Sequence, residues 1–383
     1  MFTATSISRC AQRQTQQRRN VWRMLVLACL YAYTAGAQTN SSQYELTTVA
    51  DNLNHPWSIA FLPGGDHLVT ELGGQLLRVP AGGGSGVAVT DVPAVYRAGQ
   101  GGLFDVVLDP DFADNRTLYL SYAAGDARQN STTVASARLA GNTLESVQVI
   151  FSAAPSKYAP MHYGGRLAWL PDNTLLLTTG DGMDFREQAQ NLATHFGKTI
   201  RISRDGTPPA DNPFPEAPYV WSYGHRNPQG LAVSRAGVVF QHEHGPRGGD
   251  EVNVIEPARN YGWPAITYGM DYNGAYVSPF TQYKGMQQPI KVWTPSIAPS
   301  GLMIYEGDMF PQWQGDLFVG ALVDAEVRHL QMDNLKVIEE SAVFSEIDAR
   351  IRDIRQAPDG SIYVLTDGEG GRVIRIAKYQ EKD

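Results

Sequence analysis

A histidine and an aspartate are the residues of this sequence best suited to acid–base chemistry. His162 stands before two glycines in residues 161–166 (MHYGGR), and Asp181 lies in residues 178–182 (TTGDG). An imidazole can act as a general base near neutral pH, and a carboxylate bonded to it fixes its tautomer. Each signal is weak alone, because a loop histidine is often only solvated and GDG is also an ordinary turn.

Arginine and amide side chains crowd residues 224–230 (GHRNPQG), which contain Arg226, Asn227 and Gln229. A forked guanidinium donor beside two amides suits a planar ligand that carries carboxylates. The structural alternative is that Arg226 braces neighbouring loops.

Two histidines in residues 241–251 (QHEHGPRGGDE) suggest a zinc site. However, His242 and His244 are two residues apart on a predicted strand and lack the helical HExxH spacing of zinc enzymes. The backbone carbonyls of Gly245 and Pro246, with acidic residues close behind, are the oxygen ligands that Ca²⁺ prefers. The segment therefore favours calcium.

A recurring turn followed by a hydrophobic strand indicates the architecture that must position these residues. The pattern occurs six times, at residues 62–70, 109–122, 170–178, 235–240, 314–319 and 357–365. Several copies continue into a second strand, which completes a hairpin. Such repeats match propeller blades, so the sequence predicts an all-β, six-bladed β-propeller with four-stranded antiparallel blades. A β-sandwich with a second β domain is the alternative.

Function is expected in the loops that converge on the central channel of such a propeller, because blades bury their faces against one another. The polar, glycine-rich candidates are residues 97–103, 161–166, 223–230, 242–251 and 350–353.

The first 37 residues differ from the rest of the chain. Five arginines and no acidic residue accompany an apolar run at residues 24–33, and AGA follows at residues 35–37. This pattern predicts a cleaved secretory signal peptide and an exported protein, periplasmic in a bacterium or secreted. We expect a short disordered N-terminus at residues 38–43, a propeller domain at 44–378 and a tail at 379–383. A lipoprotein that retains Cys29 is the less favoured alternative.

Charge and cysteine content exclude several classes of function. Cys10 and Cys29 both lie in the predicted signal peptide, so no disulfide or thiol chemistry is expected in the mature chain. Loss of five arginines would lower the formal net charge from −8 to about −13, which argues against nucleic acid as a partner. No later apolar run is long enough to span a membrane as a helix.

Taken together and in order, these segments resemble the soluble pyrroloquinoline quinone (PQQ)-dependent aldose sugar dehydrogenases. The resemblance runs from about residue 44 to about residue 376. The segments that carry it are residues 99–103 (GQGGL), 162–166 (HYGGR), 224–230 (GHRNPQG), 242–251 (HEHGPRGGDE), 260–264 (NYGWP) and 350–353 (RIRD).

The resemblance implies a six-bladed propeller that uses PQQ and Ca²⁺ to oxidise an aldose at its anomeric C1 hydroxyl to the lactone. It makes His162 the general base and Asp181 its support. The implied contacts of the cofactor and substrate are Gln100, Arg226, Asn227, Gln229, Tyr272, Arg350 and Arg352. The carbonyls of Gly245 and Pro246 would bind the calcium next to PQQ, and Glu251 and Tyr261 a separate structural calcium.

Val323 departs from this family pattern. Many members have a lysine where this chain reads Ala321-Leu322-Val323, so a cation facing the PQQ carboxylates is expected to be missing. Loss of one charge-assisted contact, worth roughly 1.5–3 kcal/mol, would weaken PQQ binding about ten- to a hundredfold.

The implied partners are an aldose sugar and an external electron acceptor, either a quinone or a redox protein, and the protein is expected to be a monomer or homodimer. Two other functions stay open. A catalytically silent exported propeller would bind a sugar or a protein without turnover, and a calcium-dependent lactonase would hydrolyse its substrate without an electron acceptor.

Overall fold

The computed structural model describes residues 44–379, so the predicted signal peptide, the predicted disordered segment and residues 380–383 of the predicted tail lie outside it. The region Leu46–Lys378 is one compact unit. It is built almost wholly from β-strands, with one α-helical turn, α1 (Phe112–Asn115), among the described residues. No helix within residues 44–379 is both long enough and apolar enough to cross a membrane.

The described strands form six four-stranded antiparallel sheets, which we call blades 1 to 6. The first strand of each blade packs against the first strands of its neighbours, so these strands line the centre. From inner to outer strand, the blades are β2 (Pro56–Phe61), β3 (His67–Glu71), β4 (Leu76–Val79) and β5 (Val87–Ala88); β6 (Leu103–Leu108), β7 (Thr117–Gly125), β8 (Asn130–Ala140) and β9 (Thr143–Ser152); β10 (Gly164–Trp169), β11 (Leu175–Thr179), β12 (Lys198–Ile202) and β13 (Val220–Tyr223); β14 (Pro228–Val233), β15 (Val239–Glu243), β16 (Asp250–Ile255) and β17 (Lys291–Trp293); β18 (Pro299–Ile304), β19 (Leu317–Ala321), β20 (Val327–Asp333) and β21 (Lys336–Val343); and β22 (Ile351–Gln356), β23 (Ile362–Thr366), β24 (Glu369–Lys378) and β1 (Tyr44–Asn54).

Blade 6 closes the ring, because the N-terminal strand β1 pairs with the C-terminal strand β24 as its outermost strand. The predicted six-bladed propeller is therefore confirmed, and the β-sandwich alternative is wrong. Apolar side chains fill the spaces between neighbouring blades: Leu68 and Leu76 of blade 1, for example, cluster with Leu118 and Leu120 of blade 2, and all four are fully buried.

The six repeated turns join the first and second strands of the six blades. The residue before each turn donates its backbone N–H across it, as from Leu170 to the Thr174 carbonyl at 2.9 Å and from Ala357 to the Ser361 carbonyl at 2.8 Å. In the turn of blade 6, the carboxylate of Asp359 also accepts the N–H of Ser361 at 2.9 Å. These turns lie at one end of the propeller, the turn end. All five polar loops singled out from the sequence lie at the opposite end, the loop end, because neighbouring strands are antiparallel.

Each of the six inner strands has a register shift against its neighbour near its start. Such bulges redirect side chains, and polar groups from four blades meet at the centre. Arg166 Nη2 lies 3.0 Å from Asp353 Oδ1, Arg355 Nη2 lies 3.1 Å from Asp105 Oδ1, and Ser58 donates to Asp105. This buried network braces the inner strands directly beneath the loop end.

Candidate active site

His162 occupies the loop that enters β10, and its backbone is held in the left-handed region with φ of 50°. Its N–H donates to Oε1 of Gln100 at 2.8 Å. Gly180 packs so closely that an added Cβ would lie 2.2 Å from the His162 carbonyl oxygen. The position of the imidazole is thus set by contacts from blades 2 and 3 together.

Asp181 lies behind the imidazole, with its Oδ1 2.7 Å from His162 Nδ1. It accepts two further hydrogen bonds, from Trp263 Nε1 at 2.8 Å and from the Met183 N–H at 2.7 Å. Because the carboxylate is an acceptor only, the proton of a neutral imidazole belongs on Nδ1. The other ring nitrogen, Nε2, therefore carries the lone pair.

Burial lowers the pKa of His162 below its ordinary value, although the neighbouring Asp181 opposes this effect. Burial alone would raise the pKa of Asp181, but the hydrogen bond from His162 and the charges of His162 and Arg226 bring it below its ordinary value. Near neutral pH the pair is therefore an ionised carboxylate and a neutral imidazole, which is the state that can accept a proton.

Two cavities meet at His162. The large cavity has a volume of about 840 Å³, and the small cavity has a volume of about 340 Å³. Both fall within the range of small-molecule sites. Predicted site residues that line the large cavity are Gln100, His162, Arg226, Asn227, Gly245, Pro246 and Tyr272. His162, Arg226, Pro246 and Tyr272 also line the small cavity, together with Asp181.

Arg226 both lines the cavities and braces their walls. Its Nη1 donates to the carbonyl of Gly245 at 2.8 Å, and its Nη2 lies 3.4 Å from the Tyr272 hydroxyl. Its guanidinium carbon lies 5.3 Å from the centre of the Trp263 ring. The ligand-binding and structural interpretations of this arginine are therefore compatible.

The loop that carries Gly245 and Pro246 is held by the buried carboxylate of Asp250. One oxygen accepts the Gly245 N–H at 2.9 Å, and the other accepts the N–H groups of Ile297 at 2.9 Å and Ala298 at 3.0 Å. Asp250 thus uses both oxygens to join blades 4 and 5, and it holds the loop whose residues Gly245 and Pro246 line the large cavity.

Asn227 and Gln229 differ in their position relative to the large cavity. Asn227 lines the large cavity and accepts the Gly164 N–H at 3.2 Å. Gln229 lines neither cavity, and its Oε1 lies 3.4 Å from Arg352 Nη1 and 3.4 Å from His244 Nε2. With Arg352 and His244, Gln229 thus forms part of the polar contacts beneath the large cavity.

Arg350, Arg352 and Val323 also lie at the loop end but line neither cavity. Both arginines bind Asp367, with Arg350 Nε 3.1 Å from Oδ2 and Arg352 Nε 2.9 Å from Oδ1. Arg350 Nη1 also donates to the Leu322 carbonyl at 3.0 Å, next to Val323, whose side chain is 62% exposed. Asp367 thus offsets part of the positive charge of Arg350 and Arg352.

Glu251 and Tyr261 border a narrow cleft with Glu243 and Thr267. The Tyr261 hydroxyl donates to the Val254 carbonyl at 2.7 Å and accepts the Glu256 N–H at 2.8 Å. Burial, together with the charge of Glu243, raises the pKa of Glu251. Two neighbouring carboxylates in a cleft are a place where a cation would be stabilising.

The sequence interpretation assigned no site role to Lys157, Trp263 or Asp367, although Trp263 lies in residues 260–264, which carry the family resemblance. The Trp263–Asp181 contact joins residues 82 positions apart, which no local pattern reveals. Asp367 had a usable signal, because it follows the second strand of its blade as Asp181 does.

Lys157 is a buried lysine without a carboxylate partner in hydrogen-bond range among the described residues. Its ammonium donates to the carbonyls of Ala159 and Met161 and lies 3.5 Å from the centre of the Tyr163 ring. Burial lowers its pKa to about 7, although Asp181 and Asp184 oppose this effect. The side chain thus ties together the segment that leads into His162.

Replacing Lys157 by methionine is expected to destabilise the protein by about 1–3 kcal/mol, because two carbonyls lose their donor. We also expect kcat to fall about tenfold or more, since His162 would be held less accurately. Thermal unfolding and steady-state kinetics measure the two effects, with the exposed Lys336→Met as control. A variant that loses stability but keeps the parental kcat would limit Lys157 to a role in folding.

Comparisons with known proteins cover nearly the whole described region. The family model for glucose/sorbosone dehydrogenase matches residues 53–375. An uncharacterised protein of Synechocystis is 47% identical in an alignment of 363 residues that covers 88% of this chain and 88% of that one. The crystal structure of the soluble aldose sugar dehydrogenase of Escherichia coli in its apo form is 38% identical with a TM-score of 0.84, covering 88% of this chain and 100% of that one. The PQQ-bound form of an aldose sugar dehydrogenase from Streptomyces coelicolor is 29% identical with a TM-score of 0.73, covering 87% and 98%.

Proposed function

The chain belongs to the glucose/sorbosone dehydrogenase family, and from this premise we propose that it oxidises aldose sugars at the anomeric C1 hydroxyl to the lactone. PQQ would be its electron acceptor and Ca²⁺ its metal. The observation that carries the proposal is the His162–Asp181 pair, with 2.7 Å between Nδ1 and Oδ1, at the junction of two cavities.

The large cavity fits a planar quinone that carries carboxylates. Its lining includes the Arg226 guanidinium, the amides of Gln100 and Asn227, and the hydroxyl-bearing Thr294 and Ser296. Arg350 and Arg352 would add positive charge at the same end of the propeller. When bound, PQQ supplies the acceptor for the hydride of the sugar's anomeric carbon. The small cavity, which shares His162 with the large one, is then left for the sugar.

The donor sets at two places fit calcium, which prefers oxygen ligands. The carbonyls of Gly245 and Pro246 would hold the ion next to the quinone, where it supplies a Lewis acid that polarises a carbonyl. The Gly245 carbonyl accepts Arg226 Nη1 at 2.8 Å, but a carbonyl oxygen has two lone pairs, so the second is left for the ion. Glu251 and Tyr261 would hold a second, structural calcium.

In this proposal, residues of the protein itself accept the proton of the sugar's C1 hydroxyl. Asp181 keeps the Nδ1 proton in place, so Nε2 of His162 accepts the proton of the C1 hydroxyl as the carbon–hydrogen bond breaks. Arg226 lines both cavities at this point and stabilises the negative charge that develops on the sugar oxygen. Burial of His162 and Asp181 excludes bulk water from the transfer.

The electrons must leave the enzyme after each turnover, so we propose an external acceptor, either a quinone or a redox protein. Export to the periplasm or the medium belongs to the same proposal and is supported by the signal-like first 37 residues.

Reconstitution tests the proposal. The apoprotein is incubated with PQQ and Ca²⁺, and reduction of an artificial dye is followed over a set of mono- and disaccharides. Sugar-dependent dye reduction that needs both additions is the expected result. Sugar binding without turnover would instead support a catalytically silent propeller that binds a sugar. Hydrolysis of a lactone without any dye would support a calcium-dependent lactonase.

Replacing Val323 by lysine is expected to tighten PQQ binding about ten- to a hundredfold, because it restores one charge-assisted contact. The side chain is 62% exposed and adjoins the carbonyl that binds Arg350, so a lysine fits without repacking. Titration of the apoprotein with PQQ gives the affinity. The exposed Val149→Lys on blade 2 is the control, and an affinity equal to that of the control would contradict the expectation.

A further inference from the structure

A third cavity lies at the turn end, between blades 6 and 1, where the ring closes. Its volume is about 670 Å³, within the range of small-molecule sites. Both blades contribute backbone to its wall, at residues 47–49 of β1, 61–63 and 81–83 of blade 1, and 357–359 of blade 6. The cavity shares no residue with the large or the small cavity at the loop end. We call it the turn-end cavity.

His67, which lines the turn-end cavity, departs from the repeat. It begins the second strand of blade 1 and pairs with Phe61, the last residue of the inner strand. The residue that pairs with the end of the inner strand is aliphatic in each of the other five blades: Leu118, Leu175, Val239, Leu317 and Ile362. The packing of the repeat therefore does not require an imidazole at this place.

The imidazole of His67 is buried without a hydrogen bond. The residue is 5% exposed, and neither ring nitrogen has a hydrogen-bond partner within residues 44–379. Burial lowers the pKa of His67, so near neutral pH the ring is neutral and has one donor and one acceptor. A buried polar group without a partner is destabilising. A ligand with a hydroxyl group could supply the missing partner.

Two aromatic rings stand beside the imidazole in the wall of the cavity. The centre of the His67 ring lies 5.4 Å from that of Phe61 and 4.9 Å from that of Tyr363, and the latter two centres are 4.9 Å apart. All three pairs meet edge to face, with interplanar angles of 67° to 83°. A further aromatic ring can join such a group through contacts of the same kind.

The charges at the cavity favour a neutral ligand. Of the described residues that line it, Arg375 and Asp359 carry a charge. Their side chains form an ion pair, with 2.8 Å between Nη2 and Oδ2, so each offsets the other. An anion would be attracted by Arg375 but repelled by Asp359, and a cation would meet the reverse.

We propose that the turn-end cavity is a binding site for a neutral aromatic molecule that carries a phenolic hydroxyl. Its ring lies against Phe61 and Tyr363, and its hydroxyl forms a hydrogen bond with His67. Both nitrogens of His67 are covered in the structure, so the imidazole turns about its Cβ–Cγ bond, a torsion with broad minima, to reach the ligand. The site does not depend on the proposed function, because it lies at the opposite end of the propeller from His162.

A pair of probes that differ by one hydroxyl tests the site. Equilibrium dialysis of the apoprotein measures the affinities for 2-naphthol and for naphthalene, which has nearly the same shape. We expect 2-naphthol to bind about tenfold more tightly, the contribution of one hydrogen bond to a buried partner. The charged 2-naphthoate should bind more weakly than 2-naphthol. Addition of PQQ and Ca²⁺ should leave 2-naphthol bound, because the cavities share no residue.

Two variants test the role of His67. His67→Leu supplies the residue that blades 2, 3 and 5 have at this place, and it should reduce the preference for 2-naphthol over naphthalene to less than twofold. His67→Gln keeps a donor and an acceptor and should retain the preference. His55→Asn is the control, because His55 belongs to blade 1 but lines none of the three cavities, and it should behave as the parent does.

The proposal is overturned if the parent binds 2-naphthol and naphthalene equally, or binds neither. A preference that persists in His67→Leu would also contradict it, since the hydroxyl would then have another partner. Displacement of 2-naphthol by PQQ would place the probe at the loop end. Tighter binding of 2-naphthoate than of 2-naphthol would make the cavity an anion site at Arg375. Each of these results is obtained whether or not the protein oxidises any aldose.

Discussion

Replacing His162 by asparagine is expected to lower kcat for aldose oxidation by about 10²–10⁴-fold, the usual contribution of a general base. Asparagine is the appropriate substitution because position 162 has φ of 50°, and asparagine tolerates the left-handed region better than alanine or glutamine. PQQ affinity should change by less than a few-fold, since Arg226 and the amides of the large cavity stay in place. Titration with PQQ and steady-state kinetics separate the two properties.

His55→Asn is a matched control for this variant. His55 has φ of 54° and precedes the inner strand of blade 1, as His162 precedes that of blade 3. It lines neither cavity at the loop end, so its replacement should leave kcat unchanged. A parental kcat in His162→Asn would remove the general base from the mechanism, and equal losses in both variants would indicate strain at the backbone instead.

Replacing Asp181 by asparagine is expected to lower kcat by about 10³–10⁴-fold, as the loss of an orienting carboxylate does in a catalytic triad. Asp181 accepts from Trp263 Nε1 and from the Met183 N–H, as well as facing Nδ1 of His162. If the asparagine oxygen keeps the bond from Trp263, its NH₂ group faces Nδ1. The imidazole proton is then forced onto Nε2, which can no longer accept the proton of the sugar.

The pH dependence of kcat/KM is an independent test of the His162–Asp181 pair. In the parent enzyme, kcat/KM should fall only as pH drops through the pKa of His162, which burial places below 6.5. Asp181 raises the pKa of His162, so its removal should move this acid limb to still lower pH. The exposed Asp126→Asn is the control, with parental kcat and profile. An acid limb that moves to higher pH in Asp181→Asn would contradict this assignment.

The fold could be predicted because its signals are local. The hydrogen bond from Leu170 to Thr174 and the one from Ser361 to Asp359 lie within single turns, so each copy of the turn is readable from contiguous residues. The individual site residues were proposed from residue type and from the family resemblance. The departure at Val323, for example, follows from the sequence alone.

The grouping of His162, Asp181 and Arg226 around two cavities was decided by the tertiary structure. Trp263 reaches Asp181, Asp367 shares its oxygens between Arg350 and Arg352, and Gln229 lies beneath the cavity instead of lining it. The physical reason is that the packing of separate blades against one another sets these distances. A turn is stabilised by hydrogen bonds among neighbours in sequence, whereas a site at the loop end depends on bulged inner strands and buried ion pairs that only the closed ring brings together.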